Sequence, residues 1–155
     1  MRGVIKCLIF SFATTLLISC SPNDMCLSNQ HNLQAGIYSA RAKEDKDSTL
    51  TSSTVYGLEL EEDSLYRNES ISYLYLPLSF SSNTTAFVIE NNNLKDTIWF
   101  SHEKEEVYIS RECGFAFNFT LDSMWHTKTF IDSVAIDYPY INYGEDIENA
   151  KIYIY

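Results

Sequence analysis

Glycine, proline and histidine are scarce in this chain: five, three and three among 155 residues. It holds no Gly-x-Ser-x-Gly elbow, no His-Glu-x-x-His pair and no glycine loop able to cradle phosphate. Nothing therefore points to an α/β-hydrolase, a zincin or a nucleotide-dependent enzyme. The histidines, His31, His102 and His126, are far apart in sequence and none accompanies a cysteine motif. Basic residues are also few, 11 against 21 acidic ones, giving a formal charge of −10. A surface of that sign repels nucleic acid and anionic headgroups. No apolar run is long: the one from Cys7 to Ile18 spans 12 residues, below the roughly 18 that a membrane-crossing helix needs. No cofactor is expected.

What that run offers instead is an export signal. Arg2 and Lys6 precede or enter it, and Leu17, Ser19 and Cys20 close it. An aliphatic residue three positions before a cysteine, with a small residue just before that cysteine, resembles the bacterial lipoprotein signal. The resemblance implies that Cys20 receives a diacylglycerol and that residues 1–19 are removed. Residues 20–32 are then the lipidated cysteine and a polar tether, and 33–155 a single domain of a size that can bury one core. Removal of Arg2 and Lys6 leaves nine basic residues against 21 acidic, a charge of −12. Membrane residence thus falls to acyl chains rather than to a basic patch. No lysine followed by acidic residues comes after Cys20, so the expectation is a cell-envelope protein at the outer membrane, facing the periplasm.

Two thiols remain once Cys7 has left and Cys20 is acylated. In an oxidising compartment Cys26 and Cys113 have one possible connectivity, and a Cys26–Cys113 disulfide is expected. Two buried free thiols are the competing reading, and a metal site is disfavoured by the absence of a Cys-x-x-Cys or histidine cluster.

From Leu33 onward the dominant period is two. Leu33, Ala35 and Ile37 mark a first strand; Thr51–Leu60 a second, with Gly57 as a bulge; Leu74, Leu76, Leu78 and Phe80 a third, where Pro77 implies an edge. Short links at Ser81–Asn83, Asn91–Asn93 and Glu103–Glu105 read as hairpin turns between antiparallel neighbours. Cys113, Phe115, Phe117, Phe119 and Leu121 form the most regular apolar stripe. Ser123–Thr127 reads as a loop, followed by strands at Val134–Tyr138 and Ala150–Ile154. The fold class predicted is all-β: an antiparallel β-sandwich of immunoglobulin-like or related topology with about eight strands.

At Glu112-Cys113-Gly114-Phe115 the chain resembles a family of Bacteroidota envelope lipoproteins defined by a domain of unknown function, number 6452. Leu76-Pro77-Leu78, Thr85-Ala86-Phe87, Asp96-Thr97-Ile98, Tyr108-Ile109-Ser110, Ile131-Asp132 and Lys151-Ile152-Tyr153 carry the rest of the likeness. The resemblance implies location, disulfide and fold, and no activity or ligand. Five tripeptides also resemble the general O-glycosylation acceptor of that phylum: Ser48, Ser64, Thr97, Ser123 and Ser133, each after an aspartate. Ser48 and Ser123, read as loop positions, are the better candidates.

Three functional readings follow. The first is a non-catalytic structural or partner-binding module, its partner an envelope protein or glycan. Tyr73 and Tyr75 point away from the apolar face of their strand, as do Tyr153 and Tyr155, and they form a candidate partner surface if the two strands adjoin. The second is a calcium- or glycan-binding module, the acids being Glu59, Glu61, Glu62 and Asp63, with Glu145, Asp146 and Glu148. The third, an envelope hydrolase, needs a pocket with two facing carboxylates or a paired histidine.

Overall fold

The computed structural model describes Cys26 and residues 32–155. The lipid-site reading at Cys20, the signal 1–19 and His31 lie outside the described residues. Ten strands and, among the described residues, no helix make up the domain. They are β1 (Asn32–Ser39), β2 (Leu50–Gly57), β3 (Ser64–Ile71), β4 (Tyr73–Pro77), β5 (Thr84–Asn91), β6 (Leu94–Ser110), β7 (Gly114–His126), β8 (Ile131–Ile136), β9 (Tyr140–Ile141) and β10 (Ala150–Ile154). They form two sheets, a four-stranded one in the order β4-β1-β10-β8 and a six-stranded one in the order β3-β2-β5-β6-β7-β9. The all-β, two-sheet sandwich expected from the period of two is what forms.

The core lies between the sheets because alternation turns one side of each strand inward. Leu33, Ala35, Ile37, Leu74, Leu76 and Ile152 supply the small sheet's inner face, all at most 1 % exposed. Val55, Ile89, Ile98, Phe100 and Phe119 answer from the large sheet, equally covered. Phe87 packs edge-on against Phe100 at 6.3 Å. Each such aliphatic side chain, fully buried, contributes roughly 1.5–3 kcal/mol of transfer free energy.

Several local expectations are revised. The small sheet is mixed, since β1 and β10 run parallel with Ile37 opposite Ile152. β1 already pairs antiparallel with β4, and β10 with β8, so the first and last strands meet side by side. Glu103–Glu105 is no turn: β6 runs 17 residues unbroken, and its hairpin with β7 closes only at Ser110–Gly114. Toward its tip the ribbon is open to solvent, with Tyr108 and Phe115 61 and 65 % exposed, so charged residues there meet water and do not break the strand. Ser123 likewise belongs to β7. The segment after β4 carries the chain across to the other sheet, so Ser81–Asn83 joins no hairpin. β2 ends at Gly57, where Leu60 folds back to within 3.1 Å of the space a Cβ would fill. The Asn91–Asn93 turn does form, with Asn92 and Asn93 at φ 50° and 64°, the left-handed pair a two-residue hairpin loop needs.

Two fixtures brace the chain. Cys26 is joined to Cys113 by a disulfide, their Cα atoms 5.4 Å apart, and Gly114 beside it takes φ +71°. Asp96, 1 % exposed, gathers the segment leading into β8. It accepts from Thr127 Oγ1 at 2.5 Å and from the backbone N–H groups of Thr129, Phe130 and Ile131 at 2.7–3.0 Å. Burial alone would raise its pKa, but these donors outweigh it and hold the carboxyl below its ordinary value.

Candidate functional site

Because β1 is an interior strand of the small sheet, its out-of-phase residues Gln34, Gly36 and Tyr38 form the middle of the outer face. Gln34 lies opposite Tyr75, and Gly36 lies between Tyr73 on β4 and Lys151 on β10. Tyr38 faces Tyr153. Gly36 brings no side chain to this row, and a cleft of about 280 Å³ lies beside it. Tyr38, Tyr73, Ser72, Asp47 and Glu148 line it, with the backbone of Gly36 and Ile37.

Glu148 reaches the cleft because its neighbour is pinned. Asn149, 2 % exposed, accepts the Gln34 N–H through Oδ1 at 3.0 Å and donates its own N–H to the Gln34 carbonyl at 2.9 Å. Its Nδ2 donates to the Tyr138 and Tyr140 carbonyls. This clamp sets the Glu148 carboxylate over Gly36. A Cβ there would overlap Glu148 Oε2 and lie 2.7 Å from Tyr38 Cε2, so glycine at 36 makes room for the arrangement. Tyr38 Oη donates to both Glu148 oxygens, at 2.9 and 3.1 Å. Burial, then this bond and charge, push the Tyr38 hydroxyl up to about 12. Tyr73, donating to Gln34 Oε1 at 3.0 Å, is also pushed up to about 12, by burial and by the charge of Glu148.

The four tyrosines picked out by alternation are thus divided by β1. Tyr73 and Tyr75 adjoin, with ring centroids 5.3 Å apart. Tyr153 packs instead on Tyr38 at 5.8 Å and donates to Asp45 at 2.8 Å. Tyr155, beyond a register shift in β10, donates to Asp132. Tyr38 is the residue missed; its phase opposite Leu33, Ala35 and Ile37 would have found it. Lys151 bridges Asp45 and Asp137 at 3.1 and 3.0 Å and lies 5.8 Å from the Tyr38 centroid.

The acids do not converge as a calcium site would require: among the described residues, no group of three or more histidine, cysteine, aspartate or glutamate side chains could hold a metal ion. Glu61 pairs with Lys95 at 3.4 Å and Glu145 accepts from Asn142 at 3.0 Å. Asp47 and Glu148 both line the cleft, but no histidine does. His102, fully buried, bonds Thr85 Oγ1 through Nε2 at 2.9 Å, and burial, with Lys104 near it, lowers its pKa. Its Nδ1 has no hydrogen-bond partner. His126 Nδ1 approaches the Thr127 carbonyl at 2.6 Å. Of the O-glycosylation candidates, Ser123 is exposed on β7, while Ser48, Ser64, Thr97 and Ser133 are partly covered. A second, larger groove of about 470 Å³ opens beside β2 and the end of β4. Its walls, Leu58, Leu60, Leu65, Pro77, Leu78 and Phe87, are apolar, and Asp63 is its one charged residue.

No curated protein and no solved structure matches the chain. A family model does, over residues 52–154, which takes in every strand from β3 to β10 and most of β2. The chain belongs to that family, the family of unknown function DUF6452.

Proposed function

We propose that the protein is a cell-envelope lipoprotein of the Bacteroidota type, held by acyl chains on Cys20 at the outer membrane and facing the periplasm. There it acts as a non-catalytic module that binds an envelope protein or glycan through the outer face of its small sheet. The observation that carries the binding reading is the cleft over Gly36, open on a sheet face and flanked by Tyr38 and Tyr73. Aromatic rings with a polar tip offer contact area at low conformational cost. The disulfide supports the anchored reading, since it leaves six steps between Cys20 and the clamped Cys26, at most about 20 Å of extended chain.

Mass spectrometry of protein extracted from membranes tests the anchor: an acylated Cys20 at the amino terminus is expected, and an unmodified terminus contradicts it. Protease treatment of intact cells should spare the domain, and its release would place it on the cell surface. Alanine at Tyr75 and Tyr153 together should abolish co-sedimentation with the partner while circular dichroism still shows the folded domain; retained co-sedimentation removes this face from the binding role.

A further inference from the structure

We infer that the cleft over Gly36 receives an organic ammonium group, a deepening that rests on reading the outer face of the small sheet as a binding surface. Glu148 is half-buried in the cleft and carries its charge against a tyrosine hydroxyl rather than a cation. Among the described residues, the ion pairs are those of Lys95 and Lys151, and neither reaches Glu148 or Asp47. Lys151, whose Nζ lies 5.8 Å from the Tyr38 centroid, is already answered by Asp45 and Asp137. A neutral guest would strip water from an unpaired carboxylate, which is costly, whereas an ammonium restores the charge balance as it enters.

The walls match that guest. Tyrosine rings attract cations through the negative face of their π system. Tyr38 already draws Lys151 Nζ to 5.8 Å from its centroid, and among the described residues no cation lies over Tyr73. Ser72 and Asp47 at the rim add oxygen acceptors. The volume, about 280 Å³, admits a headgroup-sized amine or the end of a lysine side chain.

The test is an NMR titration of the full-length protein in a polyoxyethylene detergent, following the Gly36, Tyr38 and Tyr73 signals. Choline should shift them at millimolar concentration, and its neutral isostere 3,3-dimethyl-1-butanol should not. Glu148→Gln, which keeps the shape, should weaken choline about tenfold, and Tyr38→Phe, which keeps the ring but frees Glu148, should weaken it less. Between primary amines, tighter binding of acetyl-lysine methylamide assigns the ammonium to a protein side chain, and tighter binding of ethanolamine to a headgroup. Equal shifts from the neutral isostere, binding of a methyl glycoside unaffected by Glu148→Gln, or no shift from choline would each overturn the ammonium assignment. Those results leave the binding face itself standing, because loss of partner on Tyr75 and Tyr153 replacement is measured separately.

Discussion

The two faces of β1 and β10 are made by the same ten or so residues and do opposite work. Inward, Leu33, Ala35, Ile37, Ile152 and Ile154 are aliphatic, at most 7 % exposed, and part of one apolar core. Outward, Gln34, Gly36, Tyr38, Lys151 and Tyr153 carry hydroxyls, a cation and a missing side chain, tied to acids that arrive from loops. Strand alternation alone produces this division. It teaches that the outer face can change its chemistry without costing the fold much, provided the glycine and the Asn149 clamp stay.

Substitutions sharpen the contrast. Ile152→Ala removes a fully buried side chain at the centre of the small sheet and should cost about 3–4 kcal/mol in denaturant unfolding. Asp96→Asn shows that a polar group can belong to the interior as firmly as an isoleucine. It trades a carboxylate satisfied by four groups for an amide, with an expected loss of about 2–3 kcal/mol. Its pH signature is distinct. The folded pKa of Asp96 lies below its unfolded value of about 3.9, so its contribution is complete above about pH 4 and fades as pH falls through the folded value. Acid titration followed by circular dichroism should show this slope in the wild type and lack it in Asp96→Asn. On the outer face, Gly36→Ala should cost about 1–2 kcal/mol, because both the Glu148 carboxylate and the Tyr38 ring must give way, and it should displace that carboxylate and eliminate ligand shifts at the cleft. Tyr75→Ser, at a ring 47 % exposed, should change stability by less than about 0.5 kcal/mol. A loss from Tyr75→Ser or Gly36→Ala as large as that from Ile152→Ala would break the comparison.

Legibility followed the same division. Where one face is buried, the alternation is strict, and β1, β4, β10 and the Asn91–Asn93 hairpin could be read from residues. β3 could not: its burial runs mostly exposed from Leu65 to Ser70, as an edge strand's does, and Ser-Leu-Tyr-Arg-Asn-Glu-Ser carries no clean period. The far half of β6 hid for a related reason, since Glu103, Lys104 and Glu105 are exposed to water within the strand. The cleft was half legible. Tyr73, Tyr75 and Tyr153 announced an aromatic face, but which strand lies between β4 and β10 is a matter of long-range pairing that no local pattern encodes. Glu148 appeared only as one of several acids before the last strand; its place over Gly36 depends on Asn149, 115 residues from its partner Gln34.

The division of labour between faces is tested most directly by placing a photo-crosslinking phenylalanine analogue at Tyr75, on the small sheet's outer face, and separately at Trp125, 44 % exposed on the large sheet. Irradiation of intact envelopes should give a discrete adduct from position 75 and none from position 125. An adduct from position 125 with none from position 75 would contradict the assignment of binding to the tyrosine face.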